Sequence, residues 1–307
     1  MGMTLVTGAS GFVGSHLMAE LARRGLAVRG VSRAPSPNLV RVPSYGPQMD
    51  WREHLRDIET VVHLAARVHV MRETAKDPLA LFRQSNVGAA VNLARQAAAA
   101  GVKRFVFVSS IKVNGERTEP GKPFSAADMP NPQDLYAISK AEAEAALIAL
   151  GRETGMEITI VRPPLVYGPG VRGNFRTLMT WAKSGAPSIF AGVRNKRSFI
   201  DVANLCDLLI TTTTHPMAAN KVLLASDGHD LSTHELLSQL MAASGRPGWS
   251  LPIPVSVLQL LGTVSGRKAA VRRLTENLQV DIASTCRVLD WHPAAPNLSI
   301  LFDEAKR

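Results

Sequence analysis

The chain has 307 residues, of which 46% are apolar, and a formal net charge of +10. That length suits one large or two unequal domains, and that composition excludes extended disorder. No apolar run reaches the ~18 residues of a membrane span, and the scattered Lys and Arg, without interleaved aromatics, favour a site for a small multiply charged anion over a nucleic-acid surface.

Thr4-Leu5-Val6 reads as a strand that enters the glycine-rich turn Thr7 to Gly14. A helical pattern follows from Ser15 to Arg24, with Leu17, Met18, Leu21 and Ala22 on one face. Strand, tight loop and helix open a dinucleotide-binding βαβ unit. A pyrophosphate needs backbone N–H groups at a helix N-terminus with no side chains in the way. Gly8, Gly11 and Gly14 meet that need. Because the first strand begins within three residues of Met1, no signal peptide is expected and the location is expected to be cytoplasmic.

Leu26–Ser32 reads as the second strand, and a Pro-rich loop covers 35–47. A short helix is expected near Trp51–Arg56, then the strand 60–64 ending in Ala65-Ala66. A long helix spans Leu79–Ala100 and stops at Gly101. Strand 104–108 ends in Ser109-Ser110, helix 137–151 follows, and strand 157–161 leads to Pro163-Pro164. Past Tyr167 the pattern loosens: a helix near 175–183, a strand near 198–200, a helix from Val202, a strand at 222–225, a helix at 231–244 capped by Ser232 or Thr233, and a mostly helical final third.

Continuous apolar strands separated by helices predict a parallel sheet covered on both faces. The expected architecture is α/β, a Rossmann-type doubly wound sheet built from 1–165 and about 197–220. A smaller, mostly helical substrate-binding lobe would take about 166–196 and 221–307. Ligands in such folds bind beyond the carboxyl ends of the strands, where every unusual residue falls.

Tyr136 and Lys140 lie four apart, on one helix face. A cationic Lys and an oxidised nicotinamide would lower the phenol pKa, so that Tyr136 exchanges a proton with a carbonyl or alcohol oxygen. Ser109 and Ser110, at a neighbouring strand end, can polarise that oxygen. Cys206 and Cys286 read as reduced core thiols. His63 reads as a structural strand-end residue, and His69, His215, His229, His234 and His292 show no metal-ligand spacing, so no metal is expected.

The stretches Thr7–Gly14, Val62–Ala66, Ser109-Ser110, Tyr136–Lys140, Arg162–Pro169, Arg197–Val202 and Leu289–Pro293, in this order, resemble the extended short-chain dehydrogenase/reductase superfamily. Its members are mainly nucleotide-sugar epimerases, dehydratases and keto-reductases. The resemblance implies Tyr136 as acid/base, Lys140 as its tuner and ribose contact, and Ser110 as the catalytic hydroxyl. It implies a cofactor site of Gly8, Ser10, Gly11, Phe12, Val13, Gly14, Ser32, Arg33, Asp50, Leu64, Ala65, Ala66, Asn86, Val108, Pro163 and Val166. Trp51 suits either an adenine-flanking position or the core. Ser109, Asn174 and Arg197 are implied substrate contacts, the last two at the nucleotide diphosphate. Relatives often form dimers through the two long helices, so a homodimer is implied too.

Three departures shape the expected function. NAD users carry an acidic residue about 20 positions past the glycine loop; here Ser32 and Arg33 stand there and favour NADP(H) over NAD(H). Ile111 and Lys112 replace the dehydratases' acidic pair, which argues against dehydration. Leu165 replaces an Asn that commonly precedes Val-Tyr-Gly. Together with local likeness to bacterial 4-keto-reductases, these predict NADPH-dependent reduction of a UDP-4-keto-6-deoxy-N-acetylhexosamine, of the UDP-N-acetylquinovosamine type, for surface polysaccharide. A UDP-sugar 4-epimerase with retained NAD is the alternative within enzymes, and a non-catalytic NADP-binding sensor the alternative of another class.

Overall fold

The computed structural model describes residues 2–68, 77–246 and 248–303. Six strands precede residue 163: β1 (Met3–Thr7), β2 (Val28–Ser32), β3 (Val40–Arg41), β4 (Ile58–His63), β5 (Arg104–Val108) and β6 (Glu157–Arg162). With β9 (Val222–Leu224) they form one sheet in the order β3-β2-β1-β4-β5-β6-β9, every pairing parallel. The order reverses between β1 and β4, so a crevice opens beyond their carboxyl ends. A separate pair, β7 (Leu165–Tyr167) and β8 (Phe199–Asp201), is also parallel.

Side-chain alternation explains why these strands must be covered on both faces. Leu5, Val61, Phe105 and Ile160 point to one core, shared with Leu93 and Leu147. Their neighbours Val6, Val62, Val106 and Val161 point to a second core, shared with Leu17, Leu21 and Leu208. The first face is covered by α3 (Ala89–Ala99) and α4 (Leu135–Thr154), the second by α1 (Phe12–Arg23) and α6 (Val202–Thr214). The doubly wound sheet is as expected.

Several bounds differ from expectation. The predicted helix 79–100 is α2 (Pro78–Phe82), a π turn at Arg83–Gly88, and then α3. The region 51–56 forms turns and no helix; Leu55 N–H donates to Trp51 O, and Asp57 then takes a positive φ that ends any helix. Helix α4 starts earlier than predicted, because Asp134 accepts from Ala137 N–H at 2.7 Å, and ends at Gly155 with φ of 76°.

The smaller lobe contains α5 (Asn174–Ser184), α7 (Thr233–Ala243), α8 (Val255–Val264) and α9 (Lys268–Thr275) around Tyr167, Phe175, Phe190, Leu237 and Leu240. The capping box at α7 forms as read: Ser232 Oγ accepts from Glu235 N–H, and Glu235 Oε2 accepts from Ser232 N–H. The boundary at 221 needs correction. Val222–Leu224 is a strand of the main sheet, and Leu289 and Trp291, flanking the end of α10 (Ala283–Leu289), pack in the core beside α6. Buried apolar side chains draw these pieces back onto the sheet, where Trp291 Nε1 also donates to Asp207 at 2.8 Å.

Candidate active site

The glycine loop is shaped by contacts that only glycine tolerates. Gly8 has φ of +71°, and a Cβ there would lie 2.8 Å from Ala65 N. A Cβ on Gly14 would lie 2.1 Å from Gly8 O, so α1 packs directly on the loop. Gly11 is the N-cap of α1 and offers no side chain, which leaves the first N–H groups of the helix to a ligand.

Around this loop lies a cleft of about 1210 Å³. It is bordered by Gly8, Ser10, Gly11, Phe12, Val13, Gly14, Ser32, Arg33, Leu64, Ala65, Ala66, Val108, Pro163 and Val166, all predicted cofactor residues. Ser109, Ser110, Tyr136 and Lys140 border the same cleft. The sheet accounts for this convergence: the loops beyond the carboxyl ends of β1, β2, β4, β5 and β6 bring most of these groups to one rim, and the first turns of α4 carry Tyr136 and Lys140 to the same cleft.

Ser110 caps a short 3₁₀ turn, Ile111–Val113, and its Oγ accepts from Lys112 N–H at 3.3 Å. The Ser109 hydroxyl is buried and has no hydrogen-bond partner among the described residues. Ser109 borders the cleft, and a buried hydroxyl left unpaired there is an unmet hydrogen-bonding demand. Lys112 binds the carboxylate of Asp134, tying the Ser110 loop to the N-cap of α4. At this position, then, Lys112 serves architecture.

Lys140 is fully buried. Its Nζ donates to Val108 O at 2.8 Å and sits 4.2 Å from the Phe107 ring centroid. Burial pulls its pKa down to about 7, against the pull of the Glu144 carboxylate. Burial pushes the Tyr136 phenol above its ordinary value, and Asp134 adds to the push. Tyr136 and Lys140 thus share a helix face and a cleft, but Val108 O holds the ammonium. One turn behind, Glu144 and Arg162 form a buried pair with contacts of 3.0 and 2.5 Å, and Arg162 Nη1 donates to Asn114 Oδ1 at 2.9 Å.

Five predicted residues lie outside the cleft lining. Asp50 is exposed and pairs with Arg52. Trp51 is 1% exposed and packs in the core, stacked 6.0 Å from Tyr45. Its bulk is better buried there than at the rim, and Tyr45 takes the rim position instead. Asn86 lies in the π turn; its amide donates to Arg67 O and Ser139 Oγ and accepts from Arg67 N–H, so it clamps the backbone beside the cleft without facing it. Asn174 is exposed at the start of α5. Arg197 is half-buried and donates to Glu276 O at 3.1 Å; burial and neighbouring Arg273 lower its pKa to about 10.

Sequence reasoning missed Tyr45. Its hydroxyl donates to Val31 O at 2.8 Å and accepts from Gly8 N–H at 3.3 Å, while Arg33 sits 5.6 Å over its ring. A lone Tyr in a Pro-rich loop carries no spacing signal. Ser44, Gln84, Ser85 and Leu205 also border the cleft and were equally silent.

His63 is buried: Thr7 Oγ1 is 2.8 Å from its Nδ1, and burial lowers its pKa to about 3. Cys206 and Cys286 are free thiols. Among the described residues, no group of three or more His, Cys, Asp or Glu could hold a metal ion, and no helix is long and apolar enough to cross a membrane. His69 lies outside the described residues.

Residues 4–224 match the NAD dependent epimerase/dehydratase family. The chain belongs to that family. A UDP-glucose 4-epimerase from Vibrio cholerae is 44% identical over 295 residues, covering 94% of this chain and 90% of that protein. The crystal structure of UDP-N-acetylglucosamine 4-epimerase from Bacillus cereus superposes with a TM-score of 0.79 at 20% identity, covering 98% of this chain and 94% of the other. UDP-glucose 4-epimerase from Thermotoga maritima, solved with UDP-glucose, gives 0.77 at 21% identity, covering 99% and 98%. At that identity, the two structures speak to the fold.

The relative at 44% identity overturns the expected 4-keto-reductase function. Reduction and epimerisation at one carbon use the same Ser, Tyr and Lys groups, so the motif set cannot separate them. The step from Ser32-Arg33 to net reduction joined two independent matters: which ribose is bound, and where the hydride ends.

Proposed function

We propose that this chain is a UDP-sugar 4-epimerase, which inverts C4 of a UDP-linked hexose with no net redox change. One observation carries the reading: a single cleft joins a phosphate-binding glycine loop to Ser110, Tyr136 and Lys140. The 44% identity to an enzyme of that name, over nearly the whole chain, supports the substrate class.

The residues fit a bound dinucleotide, since the Gly8–Gly14 contacts would exclude any larger side chain and the N-terminus of α1 is uncapped by a side chain. When bound, the oxidised nicotinamide supplies an acceptor, and later a donor, for the C4 hydride. Tyr136 takes the 4-hydroxyl proton and later returns it. Its raised pKa means that it needs positive charge nearby to act as a base, and Lys140 supplies part of that charge. Ser110 already accepts from Lys112 N–H, which leaves its O–H to donate to the same sugar oxygen. Ser109 offers a second buried donor. Inversion asks for no further acid or base, only that the oxidised sugar turn its other face.

At the ribose end, β2 finishes in Ser32, whose Oγ donates to Ser10 Oγ at 2.9 Å, followed by the exposed Arg33. Two hydroxyls and a guanidinium, with no carboxylate, favour a 2′-phosphate and hence NADP(H) over NAD(H). A redox-neutral epimerase can retain either. Arg197, desolvated beside Arg273, suits the sugar-nucleotide diphosphate.

The test is to incubate the purified protein with UDP-glucose, separate the UDP-sugars by chromatography and follow nicotinamide absorbance in parallel. The account expects UDP-galactose with no net absorbance change. Absence of the epimer, or stoichiometric consumption of cofactor, overturns it.

A further inference from the structure

The smaller lobe carries a surface that this reaction does not use. From Leu236 to Thr275 the sequence holds no Asp or Glu, but it holds Arg246, Arg267, Lys268, Arg272 and Arg273. Within this stretch α8 presents Val257, Leu260, Leu261 and Val264 at exposures of 42, 64, 56 and 80%. Their spacing of i, i+3, i+4 and i+7 sets them on one helix face. The other face is spent on packing: Leu258 is buried, and Gly262 lies so close to α9 that a Cβ would meet Val271 Cγ2 at 2.6 Å. The helix therefore turns an apolar stripe toward water, the reverse of an ordinary surface helix. Trp249, 62% exposed, lies in the segment that feeds α8. Past Val264 the chain turns through Ser265 and Gly266 to Arg267 and Lys268, both exposed. Neither of these, nor Arg246, forms an ion pair among the described residues, whereas Arg272 is engaged by Glu276.

We infer that the α8–α9 hairpin docks on a bilayer surface rich in anionic lipid, with the stripe at the headgroup boundary and Arg267 and Lys268 on the phosphates. Charge decides the occupant. A stretch without acidic residues that carries the exposed Arg267 and Lys268, on a chain of net charge +10, attracts an anionic surface and repels a second copy of itself. A ten-residue helix is too short to span and lies in the plane instead. The exposed Trp249, six residues before the helix starts, is of the residue type at home at such a boundary. This inference is independent of the reaction proposed above.

The test is co-sedimentation of the full chain with vesicles of phosphatidylcholine alone, or mixed with phosphatidylglycerol. The mixed vesicles should pellet the protein, and high salt should release it. Arg267→Gln with Lys268→Gln should weaken partitioning roughly thirty-fold. Leu260→Ser with Leu261→Ser should abolish it. Both pairs are exposed, so circular dichroism melting should show the fold retained. Three results would overturn the inference: no binding to mixed vesicles, equal binding to pure phosphatidylcholine, or a dimer in sedimentation velocity that the Leu260/Leu261 variant dissociates.

Discussion

The buried pair behind Lys140 gives the sharpest prediction. Arg162 and Glu144 have side chains 5% and 4% exposed, and Asn114 takes a further N–H of the guanidinium. In Glu144→Gln, Arg162 is left as an uncompensated buried charge, which costs about 3–5 kcal/mol of stability. The same change acts on Lys140, one helical turn away, because the Glu144 carboxylate favours the charged ammonium. Removing that carboxylate moves the Lys140 pKa further down from about 7. A group needed in its charged form loses activity as pH rises through its pKa. The descending limb of kcat/KM against pH should therefore move to lower pH. Glu144→Gln with Arg162→Met removes both charges, so stability should return most of the way, whereas the limb should stay shifted because the carboxylate that favours the ammonium is still missing. Urea unfolding and a pH–rate profile test this. The reasoning fails if the single variant costs under about 1 kcal/mol, if the limb stays in place, or if the double variant is no more stable than the single.

Other outcomes follow from the same geometry. Tyr136→Phe should cut turnover by about 10²–10⁴-fold while dinucleotide binding by calorimetry stays intact. Gly14→Ala places a methyl against the Gly8 carbonyl; it should cost about 1–3 kcal/mol in thermal unfolding and weaken dinucleotide binding. Arg33→Ala should weaken NADP(H) by roughly 10–150-fold and NAD(H) far less, measured by titration of both. His63 is held neutral, with its pKa lowered from 6.5 to about 3. Below 6.5 the unfolded chain binds the extra proton, so stability falls with acid, by about 2 kcal/mol between pH 7 and pH 5. That slope, read from urea midpoints, should flatten in His63→Gln.

The sheet was legible because its strands are apolar at consecutive positions. Leu5-Val6, Val61-Val62 and Phe105-Val106 can only be covered from both sides. The glycine loop and the Tyr136–Lys140 pair were legible because their chemistry dictates spacing. What stayed hidden depends on tertiary partners. Nothing in Trp51 says whether it faces a ligand or sits under Tyr45. Val222–Leu224 joins the main sheet across a long connection that local pattern cannot span. The π turn around Asn86 is set by its hydrogen bonds to Arg67 and Ser139, which no periodicity announces. The direction of the chemistry was the deepest gap, because one set of side chains serves two outcomes.

The central claim is that hydrogen leaves C4 of the sugar and returns to it while Tyr136 moves the hydroxyl proton. UDP-glucose carrying deuterium at C4 tests this most directly, with the product analysed by NMR in ordinary water. The account predicts a C4 epimer that keeps its deuterium at C4. Deuterium lost to solvent, or left on the released cofactor, would contradict it.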